Sequence, residues 1–156
     1  MTTSSHGYEL PLLLFAAFRG LIDELHSELA LRGHPGLRPA HGFALQAIAA
    51  APISAADLGR VLGVSKQAAG KTIDRLEELG YVTRTVDRSD TRRRTVALTE
   101  TGSDVLRQSA EIFDELRERW QAKLGSEAVA DVESHLRAVT NEQNLRLDTT
   151  GWLSSP

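Results

Sequence analysis

The stretch from residue 53 to residue 102 constrains the fold of this chain most strongly. Two short amphipathic segments meet at a glycine, and each follows a serine, Ser54 or Ser65, of the kind that caps a helix N-terminus. Residues Tyr81–Val86 and Arg94–Leu98 then alternate as strands do, and the loop between them is entirely polar. Helix, turn, helix and hairpin is the layout of a winged helix-turn-helix, a module that reads duplex DNA.

Charge is distributed unevenly along the chain. The formal net charge of the whole sequence is −3, which at first argues against a nucleic-acid partner. The segment from Arg60 to Arg94, however, contains nine cationic and five anionic side chains, a net charge of +4. The remainder of the chain contains nine cationic and sixteen anionic side chains, a net charge of −7. This split predicts a basic face on an acidic body, and phosphates are expected at the basic face.

Regularly spaced apolar residues predict helices on both sides of the central stretch. In residues 10–31 and 39–50 an apolar residue recurs every three or four positions, the spacing of an amphipathic helix. A helix of about 24 residues, roughly 36 Å long, follows Thr99. Gly125-Ser126 is expected to end it and to cap a final helix that reaches Leu145. The apolar positions expected in the interior include Phe15, Phe18, Leu25, Leu29, Phe43, Leu45, Ile48, Ala49, Ile112, Phe113 and Leu116.

The second helix of the motif, predicted over 66–79, divides into two faces. Ala69 and Ile73 centre the buried face, which extends to Leu76 and Leu79. The expected DNA-reading residues of the opposite face and of the helix start are Ser65, Lys66, Gln67, Gly70, Lys71 and Arg75, with Asp74 beside them. Glutamine can pair with adenine, lysine can bind guanine or phosphate, and a helix start suits phosphate.

Gly70 costs about 1 kcal/mol relative to alanine inside a helix. A close approach to the DNA backbone is one reason to keep a glycine there, and simple exposure to solvent is the other interpretation. We favour the first because the position lies on the exposed face.

The loop 87–94 is predicted to be a projecting wing that carries Arg88, Arg92, Arg93 and Arg94. Arginine is favoured in a narrow minor groove, where the negative potential is strongest. Asp90 would pair with an arginine and fix its direction. A solvated charge run is the alternative interpretation, but the position between two strand-like segments, directly after a helix-turn-helix, favours DNA reading.

These residues together resemble the MarR-type winged-helix transcriptional regulators. The resemblance is carried by Leu58–Ser65, Asp74–Glu77 followed by Gly80–Val82, Asp90–Arg92, and Leu98–Gly102. It implies a homodimer that binds a pseudo-palindromic operator, usually as a repressor of nearby genes. It also implies that Arg92 enters the minor groove with Asp90 as its orienter, although Thr91 stands where the family commonly has arginine.

The expected fold is therefore mainly α with a small β component. It is a winged helix-turn-helix in one structural domain, with N- and C-terminal helices that form a dimerisation region. Residues 1–36 would provide a tail and a dimerisation helix, residues 37–102 the DNA-binding region, and residues 103–156 the C-terminal dimerisation helices and a tail.

The resemblance further implies a small aromatic or phenolic effector where the dimerisation helices meet the winged module. The candidate residues are Phe15, Phe18, Arg19, His41 and Trp120, with His26 and Phe43 as further possibilities. For the phenylalanines a place in the core is favoured over a ligand role, since ligand pockets share the core's apolar chemistry. His41 either binds a carboxylate or caps the second helix. The five histidines are scattered without metal-ligand spacing, so no metal or other cofactor is expected.

Several classes of protein are disfavoured. The chain has no cysteine, no segment typical of a signal peptide and no apolar run long enough for a bilayer, which favours the cytoplasm. We do not expect an enzyme, because the sequence shows none of three common catalytic arrangements. These are a nucleophile with a matched base, a phosphate-binding glycine loop and a pair of carboxylates in a recognisable frame. The alternative to a DNA-binding regulator is a winged-helix interaction module or anti-regulator that binds protein without DNA. The arginines of the loop argue against it.

Overall fold

The computed structural model describes residues 6–86 and 88–140. In that part of the chain six helices and two strands follow one another: α1 (Glu9–Leu31), α2 (Pro39–Ala50), α3 (Ala55–Leu62), α4 (Lys66–Glu78), β1 (Val82–Val86), β2 (Arg94–Leu98), α5 (Glu100–Leu124) and α6 (Ser126–Val139). The predicted class, a mainly α fold with a winged helix-turn-helix, is confirmed. Leu145, expected in the final helix, lies outside the described residues.

Local hydrogen bonds explain where the central helices begin and end. The Oγ atom of Ser54 accepts the N–H of Asp57 at 3.2 Å, and that of Ser65 accepts the N–H of Ala68 at 3.0 Å, so both predicted caps are confirmed. Gly63 ends α3 with φ of 67°, a left-handed conformation that glycine adopts without steric cost. The same local signals that identify the turn therefore fix the angle between α3 and α4.

The hairpin is antiparallel, with Val82 opposite Leu98 and Val86 opposite Arg94. On the other side of β2, Ile53 exchanges two backbone hydrogen bonds with Val96, of 3.1 and 2.8 Å, and so extends the sheet at the entrance to α3. The prediction that β1 begins at Tyr81 is wrong by one residue. The N–H of Tyr81 donates to the carbonyl of Leu76 at 2.9 Å, and it therefore closes the end of α4.

The core lies between α2, α3, α4, the sheet, the first two thirds of α5 and the C-terminal half of α1. Its most deeply buried side chains are Leu29, Ala44, Leu45, Ile48, Leu58, Ala69, Ile73, Leu76, Val82, Val105, Ile112 and Leu116. The face predicted for α4 is confirmed at Ala69, Ile73 and Leu76, while Leu79 is only partly buried. In α2 the prediction is partly wrong. Phe43 is partly buried and Ala49 is exposed, because the helix turns Ala44 and His41 inward instead.

A second apolar surface is not covered by the described chain. Phe15 is 53% exposed, and Phe18 and Phe113 are each 39% exposed, so their predicted place in the core is wrong. The physical reason is that α1, α5 and α6 meet around an open groove, which Phe18 and Phe113 both line, and the described residues do not fill it. The other large exposed apolar side chains of the helices are Leu10, Leu12, Leu13, Leu14, Leu31, Leu124, Val132, Leu136 and Val139.

The junction between α5 and α6 differs from its prediction in one detail. Gly125, with φ of 93° and its N–H bonded to the carbonyl of Gln121 at 2.8 Å, is itself the boundary between the two helices. Ser126 is the first residue of α6, and no side chain caps that helix. The break was predicted correctly, but a serine cap is not needed because the glycine turns the chain without one.

Candidate nucleic-acid interface

The outer face of α4 is formed as the spacing predicts. Lys66, Gln67 and Lys71 are exposed, and a Cβ added at Gly70 would have no atom within 4 Å. No described neighbour therefore requires a glycine at this position. Ser65 uses its Oγ to accept the N–H of Ala68, which leaves its hydroxyl hydrogen available to a phosphate beside the helix start.

The wing turns sharply at residues 90–93. The carbonyl of Asp90 accepts the N–H of Arg93 at 2.9 Å, and its Oδ1 accepts the N–H of Arg92 at 3.0 Å. The expected ion pair between Asp90 and an arginine is absent from residues 88–94 as described. Aspartate commonly bonds the backbone two residues ahead in a turn, so Asp90 orients Arg92 through its main chain rather than through its guanidinium group.

Arg93 points away from the other wing arginines. Its guanidinium group pairs with Asp57 on α3, and this carboxylate also accepts Arg60 at 2.7 Å and the Ser54 hydroxyl at 2.9 Å. The hydrogen bond from Ser54 holds the pKa of Asp57 below its ordinary value, and the two arginines lower it further. All four wing arginines are exposed, but Arg93 links the wing to α3 through its ion pair, and Arg88, Arg92 and Arg94 make no ion pair with the described residues.

Arg84 on β1 connects the hairpin to α4, and sequence analysis did not identify this role. Its guanidinium group pairs with Asp74 and, at 2.6 Å, with Glu77. The backbone N–H of Arg84 also donates to the Glu77 carboxylate at 3.2 Å. The hydrogen bond to Asp74 raises the pKa of Arg84, and Glu77 adds to the effect. Asp74 was expected beside the reading residues of α4, and this pairing directs its negative charge toward β1. A cation in an otherwise neutral strand was the available signal.

Arg75 lies on α4 one turn after Lys71, and its side chain also borders the α1–α2 loop. It pairs with Glu78 at 3.1 Å, and its Nη2 lies 3.9 Å from the position that a Cβ of Gly36 would occupy. It lines a cavity of about 400 Å³ together with the loop between α1 and α2. Arg75 is thus a predicted reading residue of α4 that also contributes to this cavity.

The candidate ligand residues do not form one site. Phe15, Phe18 and Arg19 line a cavity of about 300 Å³ with Ile22, Asp23 and Pro39. Phe18 also reaches an apolar groove of about 460 Å³ that contains Trp120. His41 belongs to a third cavity, the one beside Arg75.

His41 is a helix cap. Its Nδ1 accepts the N–H of Arg38 at 3.1 Å, so the capping interpretation is confirmed. Burial lowers the pKa of His41, and the charges of Arg38 and Arg75 lower it further. Within residues 6–86 and 88–140 no group of three or more histidine, aspartate or glutamate side chains is arranged to hold a metal ion.

A helix-turn-helix with a basic outer face, joined to a hairpin that carries exposed arginines, defines a winged helix-turn-helix of the DNA-binding class. A sequence model of the MarR family matches residues 36–93. The reduced form of MarR from E. coli is 27% identical with a TM-score of 0.73, over 85% of this chain and 96% of that one. The transcriptional regulator Tm0710 from Thermotoga maritima is 25% identical with a TM-score of 0.64, over 96% of this chain and 99% of that one.

The chain is therefore similar to the MarR family of winged-helix transcriptional regulators, through the sequence match over residues 36–93 and through the fold it shares with MarR from E. coli. A mutant of S. aureus MepR bound to an oligodeoxyribonucleotide shares the fold, with a TM-score of 0.61 and 18% identity over 86% of this chain and 96% of that one. No curated protein sequence matches the chain. None of the helices in the described residues combines the length and the apolarity that a bilayer span requires.

Proposed function

We propose that the chain is a homodimeric, non-enzymatic repressor that binds a pseudo-palindromic operator in double-stranded DNA and is released by a small aromatic or phenolic ligand. One observation carries the DNA-binding part. Lys66, Lys71, Arg92 and Arg94 are exposed on α4 and the wing, and none of them makes an ion pair with the described residues of the chain. Unpaired cations on one face suit the phosphate backbone. The oligonucleotide-bound MepR mutant supports the same use of this fold.

Each element has a distinct proposed task. Ser65 and Lys66 bind phosphate at the start of α4, and Gln67 and Lys71 contact base edges in the major groove where Gly70 permits a close approach. In the wing, Arg92 enters the minor groove, and Arg88 and Arg94 bind flanking phosphates. Asp90 and Arg93 shape the wing, and Arg75 contacts the DNA at the edge of α4.

The exposed apolar surface supports dimerisation through α1, α5 and α6. Phe15, Phe18, Phe113, Val132 and Leu136 are each between 38% and 53% exposed on these helices. A monomer would leave a large apolar patch in water, which soluble proteins avoid unless a partner covers it. In this arrangement residues 37–102 bind DNA, and residues 1–36 and 103–156 join two copies of the chain into a dimer. Half-sites one helical turn, about 34–36 Å, apart would then fit the dimer.

The cavity at Phe15, Phe18 and Arg19 is the proposed effector site. Its volume of about 300 Å³ suits a single aromatic ring, and Arg19 provides a guanidinium group for an anionic substituent. Among the described residues Arg19 forms an ion pair only with Asp23, at a loose 3.8 Å, so it can turn to a ligand.

A gel shift on the DNA upstream of the chain's own coding sequence, at two salt concentrations, tests the proposal. Binding should weaken with salt, with a slope of about −0.9 for each phosphate neutralised. Arg92→Ala should weaken binding and reduce the slope by about one unit. Lys123→Ala, which removes an exposed cation from the last turn of α5, serves as the matched control and should change neither. A wild-type chain that shifts no DNA, or shifts it independently of salt, would instead favour the protein-binding alternative.

Light scattering tests the dimer separately. A particle of about twice the chain mass of 17.0 kDa is expected at micromolar concentration. Repression and its relief are tested with a reporter gene behind the same promoter. Its expression should fall when the chain is present and recover when salicylate is added as a phenolic probe, and Arg19→Ala should abolish the recovery but not the repression.

A further inference from the structure

A cavity of about 400 Å³ lies between the α1–α2 loop, the start of α2 and α4. Three basic side chains line it, Arg38, Arg75 and His41, and the other lining residues are Pro35, Gly36 and Leu37. The lining contains no carboxylate. This composition differs from the surface around Arg84, whose guanidinium group pairs with both Asp74 and Glu77.

His41 presents a hydrogen-bond donor to this cavity. Its Nδ1 accepts the N–H of Arg38, so the neutral ring carries its proton on Nε2. The residue is only 8% exposed, yet no buried side-chain nitrogen or oxygen in the described chain lacks a hydrogen-bond partner. Because Nε2 makes no such bond, it must reach solvent, and the cavity that the ring lines is the available path.

The two arginines leave positive charge at the cavity. Arg38 is exposed and makes no ion pair with the described residues. Within the described part of the chain Arg75 pairs with Glu78 alone, at 3.1 Å, and both of these side chains are more than half exposed, so water screens the pair. Both guanidinium groups act on His41, whose pKa they lower in addition to the effect of burial. Cations that converge without a carboxylate repel one another, and an anion between them removes that repulsion.

We propose that this cavity binds an oxyanion, a phosphate or carboxylate group, between the guanidinium groups of Arg38 and Arg75, with the Nε2–H of His41 as a further donor. Arginine suits this task because its planar group donates two parallel hydrogen bonds to such an anion. The occupant would connect α2 to α4, since Arg38 precedes α2 and Arg75 lies within α4.

The oxyanion has two possible sources with the same chemistry. One is a phosphodiester of bound DNA at the outer edge of the footprint, and this source rests on the proposed function. The other is a free small anion, which would bind without DNA and would bias the position of α4. The two sources are separated by testing the cavity in the presence and absence of DNA.

The first arm is isothermal titration of the full chain with inorganic phosphate, at an ionic strength held constant with sodium chloride. Arg38→Gln and Arg75→Gln should each weaken the binding about tenfold or more, the usual effect of removing a hydrogen bond to a charged group. Lys123→Gln is the matched control, because it removes one exposed cation far along α5. Circular dichroism establishes that each variant is folded; Arg38→Gln keeps the backbone N–H that His41 accepts.

The second arm is the gel shift. Loss of operator affinity in Arg38→Gln, with a salt slope reduced by about one unit relative to Lys123→Gln, identifies a DNA phosphate as the occupant. Phosphate binding that depends on Arg38 in the titration identifies a free anion, and this result stands even if the wild-type chain shifts no DNA. If Arg38→Gln and Arg75→Gln match Lys123→Gln in both arms, the cavity is not an oxyanion site.

Discussion

Replacing Gly102 with alanine tests the joint between the wing and α5. A Cβ at this position would overlap the carbonyl oxygen of Tyr81 and lie 3.1 Å from its carbonyl carbon. The N–H of Gly102 donates to the Oγ1 of Thr99 at 3.1 Å, and that hydroxyl donates to the carbonyl of Gly80 at 2.6 Å. Because the obstacle is backbone, α5 must move away from the hairpin, and the cap at Thr99 must lengthen with it.

The expected loss of unfolding free energy follows from three contributions. Overpacking costs about 1–3 kcal/mol. A weakened cap costs about 0.5–2 kcal/mol. The better helix propensity of alanine returns about 1 kcal/mol. The net loss is about 0.5–4 kcal/mol with a midpoint of about 2 kcal/mol, which lowers Tm by about 1–16 °C for a chain of this size.

Urea unfolding at one fixed protein concentration measures this change, because assembly contributes to apparent stability. Gly70→Ala is the matched control: its added Cβ meets nothing within 4 Å, so alanine should stabilise α4 by about 0.8–1 kcal/mol. If Gly102→Ala lies within about 0.5 kcal/mol of the wild type, the close approach to Tyr81 does not determine this joint.

Three further outcomes are expected. Arg84→Gln should loosen β1 from α4 and cost no more than about 1 kcal/mol, since both carboxylate partners are exposed; a larger loss in urea would contradict a surface role. The lowered pKa of His41 means that the unfolded chain binds more protons just below pH 6.5, so stability should fall as pH drops from about 7 to the lower folded pKa, and less so in His41→Asn. If the change in unfolding free energy between pH 7.5 and pH 5.5 is the same in the wild type and in His41→Asn, this reasoning is refuted. Val132→Asp should give monomers in light scattering, and an unchanged dimer would exclude α6 from the interface.

Local signals made much of the fold predictable. The bounds of α2 and β2 match their prediction, and the caps at Ser54, Ser65 and Thr99 are in place, because each depends on residues within one turn. The buried face of α4 followed from its period for the same reason.

Partners of long charged side chains were not predictable. Arg93 and Asp57 are separated by 36 residues, and Arg84 could have pointed to solvent. A helical wheel placed Arg75 on the outer face, but it could not show that the α1–α2 loop lies beside it. The spacing of Phe15 and Phe18 predicted an apolar face correctly, yet periodicity cannot distinguish a face covered by the same chain from one left exposed.

The ion pair between Arg93 and Asp57 affects how the salt dependence of binding is interpreted. The Arg93 side chain is 50% exposed, so dissolved ions weaken its attraction to Asp57. Salt that displaces the chain from phosphates therefore also releases the wing from α3, and a released wing loses orientational entropy again on docking. The measured slope would then combine counterion release with an internal change of the protein, and dividing it by 0.9 would overcount the phosphates.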